Sequence, residues 1–131
     1  MKTHDVRQIV TVHDEREAAR YAKGRITIID DDQAIRHALS ALLDFEGYAT
    51  TSLESALLYL DQLEEAASLF PGPHCILLDV KMPELTGLEL QSALIELSEM
   101  TPLIFMSGGS GASEAVTAFR RGAIDFLIKP F

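Results

Sequence analysis

Short extended runs alternate with stretches of helical periodicity along this chain, and that alternation restricts its fold more than any other property. Residues 25–29 are rich in β-branched side chains, 48–51 form a second short run, 75–78 and 103–106 are continuous apolar segments, and 123–128 is a fifth. Between them, Ile35, Ala38, Leu39 and Leu42 recur at i, i+3, i+4 and i+7, as do Ala56, Tyr59, Leu60 and Leu63. The pattern returns at Leu90, Ala93, Leu94 and Leu97, and again at Ala112, Ala115, Val116 and Phe119. Each set lays an apolar stripe along one face of a helix. Strands separated by helices form parallel βα units with right-handed crossovers, so the spacing predicts an α/β fold of five strands and four helices. A doubly wound sheet is covered on both faces, and the sequence reaches Phe131 directly after the fifth run. The expected architecture therefore lacks its last helix.

The residues that end the strands are polar. Asp30, Asp31 and Asp32 follow the first run, Asp79 the third, Ser107 the fourth and Lys129 the fifth. Open α/β sheets bind ligands outside the carboxyl ends of their strands. Taken alone, Asp79 is either a site carboxylate or a turn or helix-capping residue. Together with the other acids, the serine and the lysine it converges on one edge, where a shared site is the stronger reading. Neighbouring carboxylates repel one another unless a cation intervenes, and a hard divalent ion with oxygen ligands, most simply Mg²⁺, meets that need. Magnesium also neutralises phosphoryl oxygens, and a carboxylate accepts a phosphoryl group as an acyl phosphate. Asp32 fits a helix start better than a ligand position. The Met82-Pro83 pair disfavours helix at Met82, and Gly87 is expected to free the backbone where the next helix begins.

Composition excludes several function classes. With 131 residues the chain forms one domain with a real core. Its net charge of −9 argues against nucleic-acid binding by this segment, because phosphate backbones are held by clustered Lys and Arg. Cys75 is the single cysteine, which rules out a disulfide framework or a zinc-ligand set and reads as a core thiol in a reducing compartment. His4, His13, His37 and His74 stand apart without ligand spacing. No apolar run approaches the roughly 20 residues of a membrane span, and the amino terminus has no signal-peptide core, so a cytoplasmic location without membrane association is expected. Residues 1–24 precede the domain at 25–131. Within this leader, 14–23 has a helix-favouring composition with Gly24 as a stop, and both a solvated leader and a packed helix fit. A packed helix there would cover the sheet face that a fifth helix would otherwise occupy.

Four fragments now stand in order: Ile-Ile-Asp-Asp-Asp, Leu-Leu-Asp-Val-Lys-Met-Pro-Glu-Leu-Thr-Gly, Phe-Met-Ser-Gly and Phe-Leu-Ile-Lys-Pro-Phe. Over about residues 25–131 the sequence resembles the receiver domain of two-component response regulators, and 107–131 is most similar to receivers that precede a helix-turn-helix output domain. The resemblance implies a flavodoxin-like sheet of strand order 2-1-3-4-5. It also implies phosphotransfer from a sensor histidine kinase to Asp79, which switches the domain's conformation to control an output in transcription. Carried over by residue, Asp31 and Asp79 would bind Mg²⁺, Asp30 would complete the acidic pocket, and the Lys81 backbone carbonyl would add a ligand. Ser107 and Lys129 would contact the phosphoryl oxygens. Phe126 matches an aromatic switch position, although an aromatic residue in a strand is equally a core residue. The family dimerises through the region from the fourth helix to the fifth, so a homodimer is a candidate assembly whose mode the missing helix leaves open. The expected role is a switch and not a metabolic enzyme. Two alternatives remain. One is a Mg²⁺-dependent phosphohydrolase similar to the haloacid dehalogenases, suggested by Asp30-x-Asp32 but lacking their Thr or Val at Ala34. The other is a pseudo-receiver that binds partners without phosphorylation. The Gly-Gly-Ser-Gly run at 108–111 lacks the Gly-Lys-Ser/Thr ending of a P-loop and reads as a mobile loop.

Overall fold

The fold, taken from a computed structural model, is described for residues 23–69, 74–97, 99, 101–108 and 112–129. The helix expected at 14–23 therefore lies outside the described residues, apart from Lys23. The elements follow in the order β1 (Arg25–Ile29), α1 (Gln33–Phe45), β2 (Ala49–Leu53), α2 (Ala56–Leu69), β3 (His74–Asp79), α3 (Gly87–Glu96), β4 (Leu103–Ser107), α4 (Ala112–Arg120) and β5 (Asp125–Ile128). All neighbouring strands pair in parallel, in the order β2-β1-β3-β4-β5. This is the expected flavodoxin-like sheet, and no helix follows β5 among the described residues. From β1 the chain winds to one side through β2, then crosses back to β3 and continues to the other. The crevice at that reversal lies beyond the carboxyl ends of β1 and β3.

Side chains alternate across the strands, so β1 and β3 feed two separate cores. Ile29, Ile76 and Leu78 join Ala56, Tyr59, Leu90, Leu94, Phe105 and Ala118 on the face covered by α2, α3 and α4. Ile28, Leu77 and Met106 join Leu39 on the opposite face, with Ile35 and Leu43 packed against them. The helical residues of this second cluster all come from α1.

Local signals explain where the helices begin and end. Asp32 caps α1: its carboxylate accepts from the amides of Ala34 at 2.9 Å and Ile35 at 3.4 Å. Such a cap contributes about 1 kcal/mol. At the other end Gly47 adopts φ 100°, its amide donates to the Asp44 carbonyl at 3.1 Å, and the Tyr48 amide donates to that of Leu43 at 3.0 Å. Gly122, at φ 102°, closes α4 with the same pair of bonds to Phe119 and Ala118. A side chain would resist this left-handed conformation, which glycine adopts without penalty.

Several expectations shift in detail. β2 runs one to two residues later than the run at 48–51, and residues 123–124 belong to the turn before β5 because the Ala123 amide is used in capping α4. On α1 the packed row is Ile35, Leu39 and Leu43, while Leu42 is 57% exposed. On α4 the buried residue is Ala118, and Val116 and Phe119 are about half exposed. The small Ala118 lets α4 approach α3, where the Gln91 amide nitrogen donates to the Ala118 carbonyl at 3.0 Å. Cys75, expected in the core, is half-buried. No helix among the described residues is long and apolar enough to cross a membrane.

Candidate functional site

Asp79 is the last residue of β3, buried at 6% exposure, with its neighbour Val80 still bonded to the adjoining strand through the Met106 carbonyl at 3.0 Å. Asp30, one residue past β1, is fully buried, and Asp31 beside it is exposed. Carboxylate oxygens of Asp30, Asp31 and Asp79 all lie within 4.8 Å of one another. Lys129 follows β5 and extends its ladder by one bond, from its amide to the Ser107 carbonyl at 2.7 Å. Its ammonium reaches back to Asp30 at 2.7 Å and to Asp79 at 3.6 Å. Ser107 is buried at the end of β4, next to Asp79's strand. The structure thus brings Asp30, Asp31, Asp79 and Lys129 into one corner with Ser107 at its margin. Phe126 is partly buried and pairs with Phe105, two residues before Ser107 on β4, stacked on it with ring centroids 6.1 Å apart. Lys81 lies in the loop after β3 with its side chain exposed. Asp32 is spent on the α1 cap, as expected for a helix start.

The charges do not balance within the corner. Three carboxylates against one ammonium leave two negative charges, the charge a divalent cation would neutralise. Burial, the charges of Asp30 and Asp31, and the partial compensation from Lys129 together raise the Asp79 carboxyl to about 6. For Lys129, burial alone would depress the ammonium, but the hydrogen bond to Asp30 and the charges of Asp79 and Asp30 outweigh it and leave its pKa raised. Among the described residues this is the cluster whose donors suit a hard cation. Mg²⁺ takes oxygen ligands at roughly 2.1 Å and usually keeps several waters, so carboxylates at this spacing fit it after small side-chain rotations or through water.

Three contributors act in ways the sequence pattern does not show, and for Gly87 the expected backbone freedom is corrected. Gly87 is one: its φ is not positive, yet a Cβ there would collide with the Asp79 carbonyl oxygen and stand 3.0 Å from the Phe105 ring. The residue is needed for close approach and not for backbone freedom. Its amide donates to the Val80 carbonyl at 2.9 Å, which closes the loop over the strand end. Glu84 is the second, held at φ 69° where the Leu85 amide bonds the Pro83 carbonyl at 2.9 Å. Such strained backbone in a loop beside a site is maintained by its surroundings, here by the capping box in which Thr86 and Glu89 each accept the other's amide. Arg36 is the third, donating to the Asp30 carbonyl at 2.7 Å.

A parallel sheet of this order with an acidic corner and a lysine at its carboxyl edge defines the class, and the chain belongs to the response regulator receiver domain family, whose model matches residues 26–131. Among its curated relatives, the response regulator protein TodT of Pseudomonas putida is 42% identical over 106 residues, 81% of this chain and 44% of that protein. The transcriptional regulatory protein FixJ of Bradyrhizobium diazoefficiens is 40% identical over 111 residues, 83% of this chain and 51% of that protein. Among solved structures, full-length FixJ from B. japonicum aligns with a TM-score of 0.74 at 38% identity, covering 83% of this chain and 51% of that one. The chain spans about half the length of the curated relatives it matches.

Proposed function

We propose that this domain is a phosphorylation-controlled switch that accepts a phosphoryl group on Asp79 from a sensor histidine kinase, in the cytoplasm, and passes the change to an output domain acting in transcription. The observation that carries the reading is the meeting of Asp79 with Asp30, Asp31 and Lys129 at one strand edge. Asp79 is mostly ionised at neutral pH, since its carboxyl titrates at about 6, and so offers a nucleophilic oxygen. That oxygen bonds to phosphorus while the P–N bond of the donor imidazole breaks; the electron pair returns to the ring nitrogen, which takes up a proton from solvent. Asp31 and Asp79, with the Lys81 carbonyl and Asp30 completing the pocket, would hold Mg²⁺, which supplies charge neutralisation at the transferring oxygens.

Lys129 rests closer to Asp30 than to Asp79, so a new anion on Asp79 competes for its ammonium. Ser107 donates its hydroxyl to the same anion, and movement at Ser107 is passed along β4 to Phe105, on which Phe126 is stacked. The domain then occupies two conformations whose balance the phosphoryl group sets.

Incubation with acetyl phosphate and Mg²⁺ should add one phosphoryl group, visible by mass spectrometry and lost in Asp79→Asn. Labelling that persists in that variant would contradict the assignment. The phosphohydrolase alternative needs the second acid of Asp30-x-Asp32 in the site, and that acid caps α1. Failure of the wild-type chain to label under any phosphodonor would favour the pseudo-receiver instead.

A further inference from the structure

We infer that Arg36 is a positioning residue for the cation site, an inference that rests on reading the acidic corner as that site. Every polar group of Asp30 is engaged. Its amide donates to the Leu53 carbonyl at 3.1 Å, its Oδ1 accepts from the Asp32 amide at 2.9 Å, and its Oδ2 accepts from Lys129 at 2.7 Å. Its main-chain carbonyl accepts from the Arg36 guanidinium at 2.7 Å. Asp31 is therefore the middle of a bracket. On one side Asp30 is tied to β2, to Lys129 and, through Arg36, to α1; on the other Asp32 is tied to the first turn of α1. Beside the core packing of Ile28 on Leu39, Arg36 is a side-chain link from the end of β1 to the body of α1, and with the Asp32 amide bond to Asp30 it holds the bend from which the Asp31 carboxylate projects.

Charge alone would argue against an arginine here. A guanidinium beside a cation site repels the incoming ion and weakens its binding. Its presence is explained if the geometry it holds is worth more than that repulsion, and the two effects have opposite signs. Removing Arg36 should tighten Mg²⁺ binding if only its charge matters, and loosen it if the bend matters. Arg36 also lines an open cleft of about 380 Å³ with Gln33, His37, Ser52, Leu53 and Glu54. Water in that cleft can satisfy the Asp30 carbonyl after truncation, so the variants are expected to fold while the bend relaxes.

The test is calorimetric titration of MgCl₂ into the whole chain as wild type, Arg36→Met, Arg36→Gln and Arg36→Lys, with melting temperatures measured without Mg²⁺. Arg36→Met and Arg36→Gln should bind Mg²⁺ at least fivefold more weakly, despite losing a positive charge. Arg36→Lys, which keeps the charge and one donor, should remain within twofold of wild type. Mg²⁺ binding that is unchanged or tighter in both the Met and Gln variants overturns the role of Arg36. So would failure of both to fold, which would make Arg36 a structural residue. A wild-type chain that binds no Mg²⁺ would instead overturn the reading of the corner itself.

Discussion

Asp79 is a carboxylate that its surroundings make costly to ionise, and the sign of that cost can be measured. Its folded pKa of about 6 exceeds the ordinary 3.8, so the folded chain keeps a proton that the unfolded chain has released. Stability without metal must then fall as pH rises from about 4 to about 6 and stay lower above that window. His74 works in the opposite direction: burial, then the charge of Arg25, lowers its pKa, so the stability its neutral ring contributes is lost as pH falls below the ordinary 6.5. Asp79→Asn isolates the first effect. In EDTA, the variant should exceed wild type in urea-unfolding stability at pH 7 by about 2 kcal/mol, with the gap narrowing by about 1 kcal/mol at pH 5. A gap that does not change with pH would mean that Asp79 titrates like a solvated carboxylate. The strand-end position of Asp79 was readable because an uninterrupted apolar run stopped at an acid. The roles of Arg36 and Gly87 were not, because each depends on a main-chain carbonyl that no side-chain pattern reports.

At the scale of elements, periodicity located each helix but not the rotation that decides burial. The stripe at 112, 115, 116 and 119 found α4, yet the contact with α3 turned Ala118 inward and left Val116 and Phe119 half exposed. A helix presents more apolar surface than one neighbour covers, and the choice among adjacent rows is made by whichever side chain is small enough for close packing. The β3–α3 junction obeys the same rule. Gly87→Ala should lower the urea midpoint by an amount equivalent to about 1–3 kcal/mol, because the added methyl meets backbone at Asp79 and not a flexible side chain. Gly108→Ala is the matched control: a Cβ there has nothing within 4 Å, and no comparable loss is expected. Equal stability losses in the two variants would remove close approach as the reason for glycine at 87.

For the molecule as a whole, the parallel alternation of five strands and four helices was legible from periodicity and crossover handedness, whereas the strand order came only with the resemblance to the receiver family. How completely each sheet face is covered was less legible. Beside the cluster of Ile28, Leu39, Leu77 and Met106, α1 exposes Leu42 at 57% and Phe45 at 78%. Adjoining exposed apolar side chains of this size favour dye binding and self-association. Phe45→Ser should reduce fluorescence of a bound naphthalene-sulfonate dye while changing unfolding stability by no more than about 0.5 kcal/mol. A large loss of stability would show that Phe45 is packed in solution.

The ion pair between Lys129 and Asp30 joins residues 99 positions apart in sequence. An emerging polypeptide that has made β1 and β3 but not yet β5 holds Asp30 and Asp79 without the ammonium that pairs with both. The charge pattern of the corner is thus assembled only with the fifth strand, and a copy clipped before residue 129 would lack it.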